Sequence, residues 1–209
     1  MHQVVYLTGA PAAGKSTAAK SLRERVQGLE VFEFGERLTM HLAMRDNDLI
    51  QEDIRRTSAG VVTPADVQAV DKQLLSFVAE ARMRTHVVIN SHPVTKEAFG
   101  FRVTPYSLDD FALLSPTQIW VLYADPETTA ARIGRDAQGR PMVTAAEAAM
   151  HTHLQASVAA TYGMRLGTPV HLFDTSRLDP CQATSGAPPQ ATDGTHPPCG
   201  PTRRNWTDV

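Results

Sequence analysis

The segment from Gly9 to Thr17 constrains the fold more than any other part of this sequence. It reads GAPAAGKST and fits the pattern G-x-x-x-x-G-K-[ST], after an apolar run (Val4–Leu7) and before a helix-forming segment. In such a loop the backbone N–H groups turn inward around phosphate oxygens, which requires small or absent side chains at Gly9 and Gly14. The pattern therefore predicts a phosphate-binding loop between a strand and a helix.

The same loop predicts which residues contact a nucleoside triphosphate. The N-terminus of the following helix offers unpaired N–H groups and a partial positive charge, and both favour phosphate. We expect Lys15 to reach the β- and γ-phosphates of ATP, and the Ser16 hydroxyl to join the coordination shell of Mg²⁺. The candidate ATP-binding residues are Gly9, Ala12, Ala13, Gly14, Lys15, Ser16 and Thr17.

Length and composition set broad limits on the protein class. A chain of 209 residues suits one domain with a sizeable core. A net charge of −2 with 20% charged residues argues against a nucleic-acid binder and against a polybasic membrane surface. The N-terminal strand does not resemble a leader, and no apolar run approaches the length of a membrane span, so we expect a cytoplasmic protein with no membrane partner.

Apolar runs and helical periodicities alternate along the chain. This alternation predicts an α/β domain with a mainly parallel sheet, whose ligands bind at the carboxyl ends of the strands. We predict a functional loop over residues 93–105, which contain Gly100 and two prolines. The predicted strands cover residues 4–7, 29–34, 86–89, 118–123 and 170–173, and the predicted helices cover residues 16–26, 38–43, 49–56, 64–83, 108–114, 126–136 and 144–162.

The last part of the sequence differs in composition from the rest. Six of the fourteen prolines lie between Pro180 and Pro201, mixed with Gly, Ser, Thr and Gln. We therefore predict one domain over residues 1–175 and a disordered tail over residues 176–209. Both cysteines, Cys181 and Cys199, fall in this tail, so no disulfide framework is expected in the folded part.

Several arginines are suited to neutralising the charge that spreads during phosphoryl transfer. Arg132 and Arg135 are three residues apart and share one face of a predicted helix, and Arg140 follows in a loop flanked by glycine and proline. The pair Arg55–Arg56 lies between the second and third strands, where it would grip a second phosphate or form a solvated charged surface.

An ordered set of motifs resembles the archaeal-type adenylate kinases, which belong to the P-loop nucleoside monophosphate kinase family. The resemblance covers roughly residues 3 to 174. It implies a three-layer P-loop kinase sandwich with a five-stranded parallel core, a helical monophosphate-binding insertion at about residues 36–84 and a short lid at about 132–143. Its motifs are the phosphate-binding loop, Phe34–Glu36, Ile54–Arg56, Val87–His92, Tyr123–Pro126 and Arg132–Asp136.

The resemblance also implies roles for individual residues. Lys15, Arg132 and Arg135 correspond to catalytic positions, with Arg140 a weaker candidate in the lid. Gly35, Arg55 and His92 correspond to the acceptor site, where Arg55 holds the acceptor monophosphate.

Asn90 departs from the family, which commonly has Asp at this position. Its amide carries no charge but still accepts a hydrogen bond from a metal-bound water. We therefore expect Ser16 and, through water, Asn90 to serve Mg²⁺, with a lower metal affinity or turnover than the carboxylate would give.

Three functional hypotheses follow from the sequence. The first is a Mg²⁺-dependent kinase that transfers the γ-phosphate of ATP to a nucleoside monophosphate, with AMP the expected acceptor. The second keeps the kinase fold with another small acceptor, although the expected position of a carboxylate base is occupied by Asn90. The third is a slow ATPase that acts as a switch or assembly factor. The sequence predicts no oligomeric state.

Overall fold

Short β-branched and aromatic runs form strands in this protein, and segments with a 3.6-residue apolar period form helices. The computed structural model describes residues 2–44, 61–135 and 142–176. The strands are β1 (Val4–Gly9), β2 (Glu30–Glu33), β3 (Val87–Asn90), β4 (Val94–Glu97), β5 (Gly100–Val103), β6 (Gln118–Tyr123) and β7 (Val170–Asp174). The helices in these ranges are α1 (Lys15–Arg25), α2 (Phe34–Ala43), α3 (Pro64–Ala81), α4 (Leu108–Leu114), α5 (Pro126–Arg135) and α6 (Ala145–Leu166).

Five of the strands form one parallel sheet in the order β2-β3-β1-β6-β7. Strand β1 lies at the centre, between β3 and β6, with Leu7 opposite Asn90 and Gly9 opposite Leu122. Glu33, the last residue of β2, is also opposite Asn90, in the neighbouring pair. The predicted five-stranded parallel α/β fold is confirmed, and the carboxyl ends of its strands meet at one edge.

Helices cover both faces of the sheet, which gives three layers. On one face, side chains such as Tyr6 and Ile89 pack against α3, α4 and α6 through a buried cluster that includes Leu74, Phe111 and Tyr162. On the other face, α1 packs against β1, β2 and β3. Alternate residues of each strand point to opposite faces, so Leu7, Glu33 and Asn90 lie on the face covered by α1.

Two helices begin with the capping boxes that their sequences encode. Thr63 caps α3 and exchanges hydrogen bonds with Asp66, while Thr144 caps α6 and exchanges them with Glu147. Each Thr cap contributes about 1 kcal/mol to stability. These caps fix where the two longest described helices begin relative to the sheet.

The prediction of a loop over residues 93–105 was wrong, because β4 and β5 form an antiparallel hairpin there. The two prolines lie outside the paired strands, at Pro93 and Pro105, so neither removes a ladder hydrogen bond. Gly100 has a φ of +137°, which permits the tight two-residue connection between Glu97 and Gly100.

The second strand is also shorter than predicted. It ends at Glu33, and α2 begins at Phe34, so Gly35 lies in the first turn of a helix instead of closing the strand. Most of α2 and all of α3 fall within residues 36–84, the range predicted for the monophosphate-binding insertion. Residues 45–60, 136–141 and 177–209 lie outside the described residues, and with them Arg55, Arg140, half of the predicted lid and the tail beyond residue 176. None of the helices in the described ranges is long and apolar enough to cross a lipid bilayer.

Candidate nucleotide-binding site

The loop between β1 and α1 follows a tight path that its small residues permit. Gly9 has a φ of +146°, and a Cβ atom there would collide with the carbonyl oxygen of Leu122 in β6. Gly14 caps α1 with a φ of +87°, and Ala12 also has a positive φ, of 60°. The backbone is therefore held in a strained, preorganised turn at the carboxyl edge of the sheet.

Lys15 lies over this loop at the start of α1. Its Nζ donates hydrogen bonds to the carbonyl oxygens of Gly9, at 2.6 Å, and Ala10, at 3.0 Å. The first turn of α1 contains no acidic side chain, so nothing there competes with an anion for the positive end of the helix. Ser16 and Thr17 are exposed in the same turn.

Arg132 reaches the same loop from α5. Its Nη1 donates to the carbonyl oxygen of Ala12 at 3.3 Å, and its Nη2 donates to the carbonyl oxygen of Thr175 at 2.8 Å. Thr175 is buried, and its hydroxyl lies within hydrogen-bond distance of the carbonyl oxygens of Ala13, at 3.1 Å, and Tyr123, at 2.9 Å. Thr175 thus joins the loop to β6. Sequence reasoning missed this residue, because its only signal in the sequence is its position directly after β7.

The two predicted catalytic arginines of α5 differ in their surroundings. Arg132 contacts the loop carbonyl of Ala12 and is half-buried. Arg135 lies three residues later, at the last position of α5, and is exposed. The structure therefore brings Arg132 to the loop, and Arg135 stays a predicted catalytic residue.

A carboxylate and an amide meet where β2 and β3 end. Asn90 Nδ2 donates to Glu33 Oε2 at 2.6 Å. Burial raises the pKa of Glu33, while the hydrogen bond from Asn90 lowers it, and the charge of Glu36 raises it further. The positive charges of Arg23 and Lys15 also act on Glu33 and lower its pKa. Sequence reasoning singled out Asn90 at this edge and missed Glu33.

Buried polar side chains of α6 attach the hairpin to the core. Gln155 accepts from the Thr8 hydroxyl at 3.2 Å and donates to the carbonyl oxygen of Val94 at 3.2 Å. His151 Nε2 donates to the same carbonyl at 3.0 Å. Burial lowers the pKa of His151 to about 4, although the hydrogen bond to Val94 raises it, and the positive charge of Lys15 lowers it further. The ring is therefore neutral near pH 7.

The remaining acceptor-site predictions stay predictions. Gly35 lies in the first turn of α2, where its carbonyl accepts from Thr39 at 2.8 Å. His92 follows β3 and is exposed, whereas His151 is buried. Arg55 lies outside the described residues.

The oxygen donors near α1 fit Mg²⁺ better than a transition metal. Residues 2–44, 61–135 and 142–176 contain no group of three or more His, Cys, Asp or Glu side chains that could hold a metal ion. The hydroxyl of Ser16 lies in the first turn of α1, and the Glu33 carboxylate and Asn90 amide lie on the sheet face that α1 covers. Hard oxygen donors of this kind, completed by phosphate and water, are typical of nucleotide-bound Mg²⁺.

A family model described as an AAA domain matches residues 8–149. No curated protein matches the chain. Among solved structures, shikimate kinase from Bacteroides thetaiotaomicron is 18% identical with a TM-score of 0.48, over 81% of this chain and 86% of that chain. A sugar kinase from a Janibacter species is 16% identical with a TM-score of 0.46, over 87% of this chain and 90% of that chain.

A chain of the Pnkp1/Rnl/Hen1 RNA repair complex is 17% identical with a TM-score of 0.49. The similarity covers 77% of the present chain but only 46% of that chain, so this protein spans less than half the length of that larger one.

Proposed function

The chain belongs to the AAA domain family, and from this premise we propose that it is an ATP-dependent phosphotransferase with a small-molecule acceptor. The proposed acceptor is a nucleoside monophosphate, with AMP foremost. The observation that carries the proposal is the arrangement of two cations at one phosphate-binding loop. Lys15 contacts the loop from α1, and Arg132 contacts it from α5.

The donor half of the reaction follows from this arrangement. The loop and the N-terminus of α1 would hold the phosphates of ATP, and Lys15 would neutralise charge at the β- and γ-phosphates. Arg132 would supply a second positive charge from another element, as phosphoryl transfer requires when negative charge spreads over the transferred group. Ser16 would help to hold Mg²⁺, which would supply further positive charge at the phosphates when bound.

The acceptor half is proposed from the sequence resemblance and from the position of the hairpin. Arg55, Gly35 and His92 are the proposed acceptor-site residues. The hairpin formed by β4 and β5 is attached to β1 and α6 beside the carboxyl edge of the sheet, which supports a wall at this place. An acceptor phosphate is already ionised at neutral pH, so this reaction needs positioning more than a general base.

A second candidate, a hydroxyl-bearing acceptor, is favoured by one observation. Glu33 places a partly buried carboxylate at the end of β2, and burial raises its pKa. Transfer to a hydroxyl gains from a nearby carboxylate that accepts the proton. Glu33 thus offers the base that the sequence alone did not provide at Asn90.

The test measures ATP consumption by the full chain with Mg²⁺ and a panel of acceptors. The panel contains AMP, GMP, CMP and UMP, together with nucleosides and simple sugars as hydroxyl acceptors. We expect at least one monophosphate to increase ADP formation by about tenfold or more over ATP alone, and Lys15→Ala to abolish the increase. Acceleration by a hydroxyl compound alone would favour the second candidate. Equal consumption with and without every acceptor would contradict a transferase and favour a slow ATPase.

A further inference from the structure

Asn90 occupies a position where the archaeal-type adenylate kinases commonly have a carboxylate, and its side chain is hydrogen-bonded to the carboxylate of Glu33. Glu33 and Asn90 are opposite each other in the β2–β3 register, and Asn90 Nδ2 lies 2.6 Å from Glu33 Oε2. A carboxylate only accepts hydrogen bonds, so the amide nitrogen must be the atom that contacts Glu33. The pair therefore places one negative charge at this edge, on β2 and not on β3, where the resemblance leads one to expect it.

The surroundings of this pair place its charge on the sheet face that α1 covers, near Lys15. Asn90 is opposite Leu7 in β1, two residues before Gly9. All three positions 7, 33 and 90 lie on the face that α1 covers, and α1 contacts β1, β2 and β3. Lys15, the first residue of α1, is close enough for its charge to act on Glu33. Ser16, the proposed Mg²⁺ ligand, follows Lys15 directly.

We propose that Glu33 is a positioning carboxylate for the Mg²⁺ of bound ATP, acting through a metal-bound water, and that Asn90 fixes its orientation. The inference rests on the proposed function, because it requires ATP at the loop. A carboxylate is the stronger acceptor for a polarised, metal-bound water, and an amide that donates to its other oxygen limits its rotation. In this chain the charge therefore lies on β2 and the amide on β3.

The pair can be reversed by substitution, which gives a direct experiment. The four proteins are the wild-type chain, Glu33→Gln, Asn90→Asp and the double variant Glu33→Gln/Asn90→Asp. The double variant again has one amide and one carboxylate, with the charge moved to β3. Titration calorimetry measures ATP binding to each in Mg²⁺ and in EDTA, so the readout is the enhancement of ATP affinity by the metal, not turnover.

We expect Mg²⁺ to strengthen ATP binding by the wild-type chain, and Glu33→Gln to reduce this enhancement by about tenfold. Binding in EDTA should change by less than about twofold in Glu33→Gln, because the loop and Lys15 are intact. The double variant should recover the enhancement to within about threefold of the wild type. The matched control is Glu30→Gln, which removes the same charge from the other end of β2, where Glu30 pairs with Arg84.

The possible failures are distinguishable. If Glu33→Gln keeps the full Mg²⁺ enhancement, the inference is overturned while ATP binding and the proposed function stand. The inference is also overturned if the double variant recovers nothing although it melts at the wild-type temperature. Should Glu33→Gln not fold, Glu33→Asp replaces it, with a partial loss expected and an unchanged enhancement overturning the inference. If the wild-type chain binds no ATP in either condition, the proposed function fails as well.

Discussion

The donor and acceptor sides of the candidate site are built in different ways. The donor side depends on one continuous segment, in which Lys15 bonds to carbonyl oxygens only five and six residues away. The proposed acceptor side depends on residues far apart in the chain: Gln155, which attaches the hairpin of β4 and β5, also bonds to Thr8, 147 positions away. A local motif can therefore specify phosphate binding, whereas the acceptor surroundings exist only after the sheet and α6 have assembled.

The largest expected effect is on the donor side, at Lys15. Lys15→Ala removes the charge that lies over the loop, and we expect ATP-dependent transfer to fall by about a thousandfold. The matched control is Lys20→Ala, which removes an exposed lysine from the same helix and should leave transfer unchanged. Steady-state ADP formation measures both. A residual rate above about a tenth of the wild type in Lys15→Ala would remove Lys15 from the proposed chemistry.

A pair of glycine substitutions compares the backbones of the two sides. Gly9→Ala introduces a Cβ atom that collides with the carbonyl oxygen of Leu122, in addition to the strain of its positive φ. We expect a loss of about 3 kcal/mol in the free energy of unfolding. Gly100→Ala has a similar φ, +137°, but nothing lies within 4 Å of the added atom, so about 1 kcal/mol is expected. Urea unfolding of both variants measures the difference, and equal losses would show that the collision has no cost.

Arg132 tests whether the donor side extends beyond the continuous motif. Arg132→Ala removes the hydrogen bonds to Ala12 and Thr175 and the second charge at the loop. We expect kcat/KM for ATP to fall by about thirtyfold, with Arg132→Lys recovering little because an ammonium cannot span both carbonyls. Arg135→Ala, on the same helix but exposed, should cost less. A larger loss at Arg135 than at Arg132 would reverse their proposed order.

Gln155 tests how the acceptor side is held to the core. Gln155→Leu removes the hydrogen bonds that the Gln155 amide makes with the hydroxyl of Thr8 and the carbonyl of Val94. Gln155 is fully buried, so water does not replace them. We expect about 2 kcal/mol of destabilisation and faster hydrogen exchange in β4, with ATP affinity unchanged. Gln73→Leu, at an exposed position of α3, is the control for the substitution itself. Unchanged exchange in β4 would mean that the His151 hydrogen bond and the Lys96–Glu147 ion pair hold the hairpin without Gln155.

The smallest effect concerns Asp71, a half-buried residue of α3. Burial raises the pKa of Asp71 to about 6, and the charge of Asp110 adds to this effect. Between about pH 4 and pH 6 the folded state therefore binds a proton that the unfolded state has already released, so stability falls as the pH rises through this range. Above about pH 6 the ionised Asp71 destabilises the folded state, and below about pH 4 it does not. Asp71→Asn should stabilise the protein by about 1 kcal/mol near pH 8, a value reduced for solvent screening, and by nothing near pH 4.

Urea unfolding at several pH values checks the Asp71 prediction. Asp109→Asn, at an exposed position of α4, serves as the charge-matched control and should show no pH-dependent gain. A gain for Asp71→Asn that grows toward low pH would have the wrong sign and would contradict the assigned pKa direction.

The sequence predicted the loop between β1 and α1 and most of the fold because the signals there are local. The phosphate-binding loop, the caps at Thr63 and Thr144 and the buried runs of the sheet depend on neighbouring residues. The hairpin was missed because Pro93 and Pro105 were read as loop residues although they only flank it. Glu33 was missed because its partner Asn90 becomes its neighbour through strand pairing, which no short pattern encodes.

The most direct test of the proposed transfer is phosphorus NMR of the full chain with ATP, Mg²⁺ and AMP in equal amounts. Transfer to AMP predicts that the AMP and ATP signals decline together and are replaced by ADP, two molecules for each ATP consumed, with no early inorganic phosphate. Release of inorganic phosphate at the same rate with and without AMP, while the AMP signal stays constant, would contradict transfer to the monophosphate.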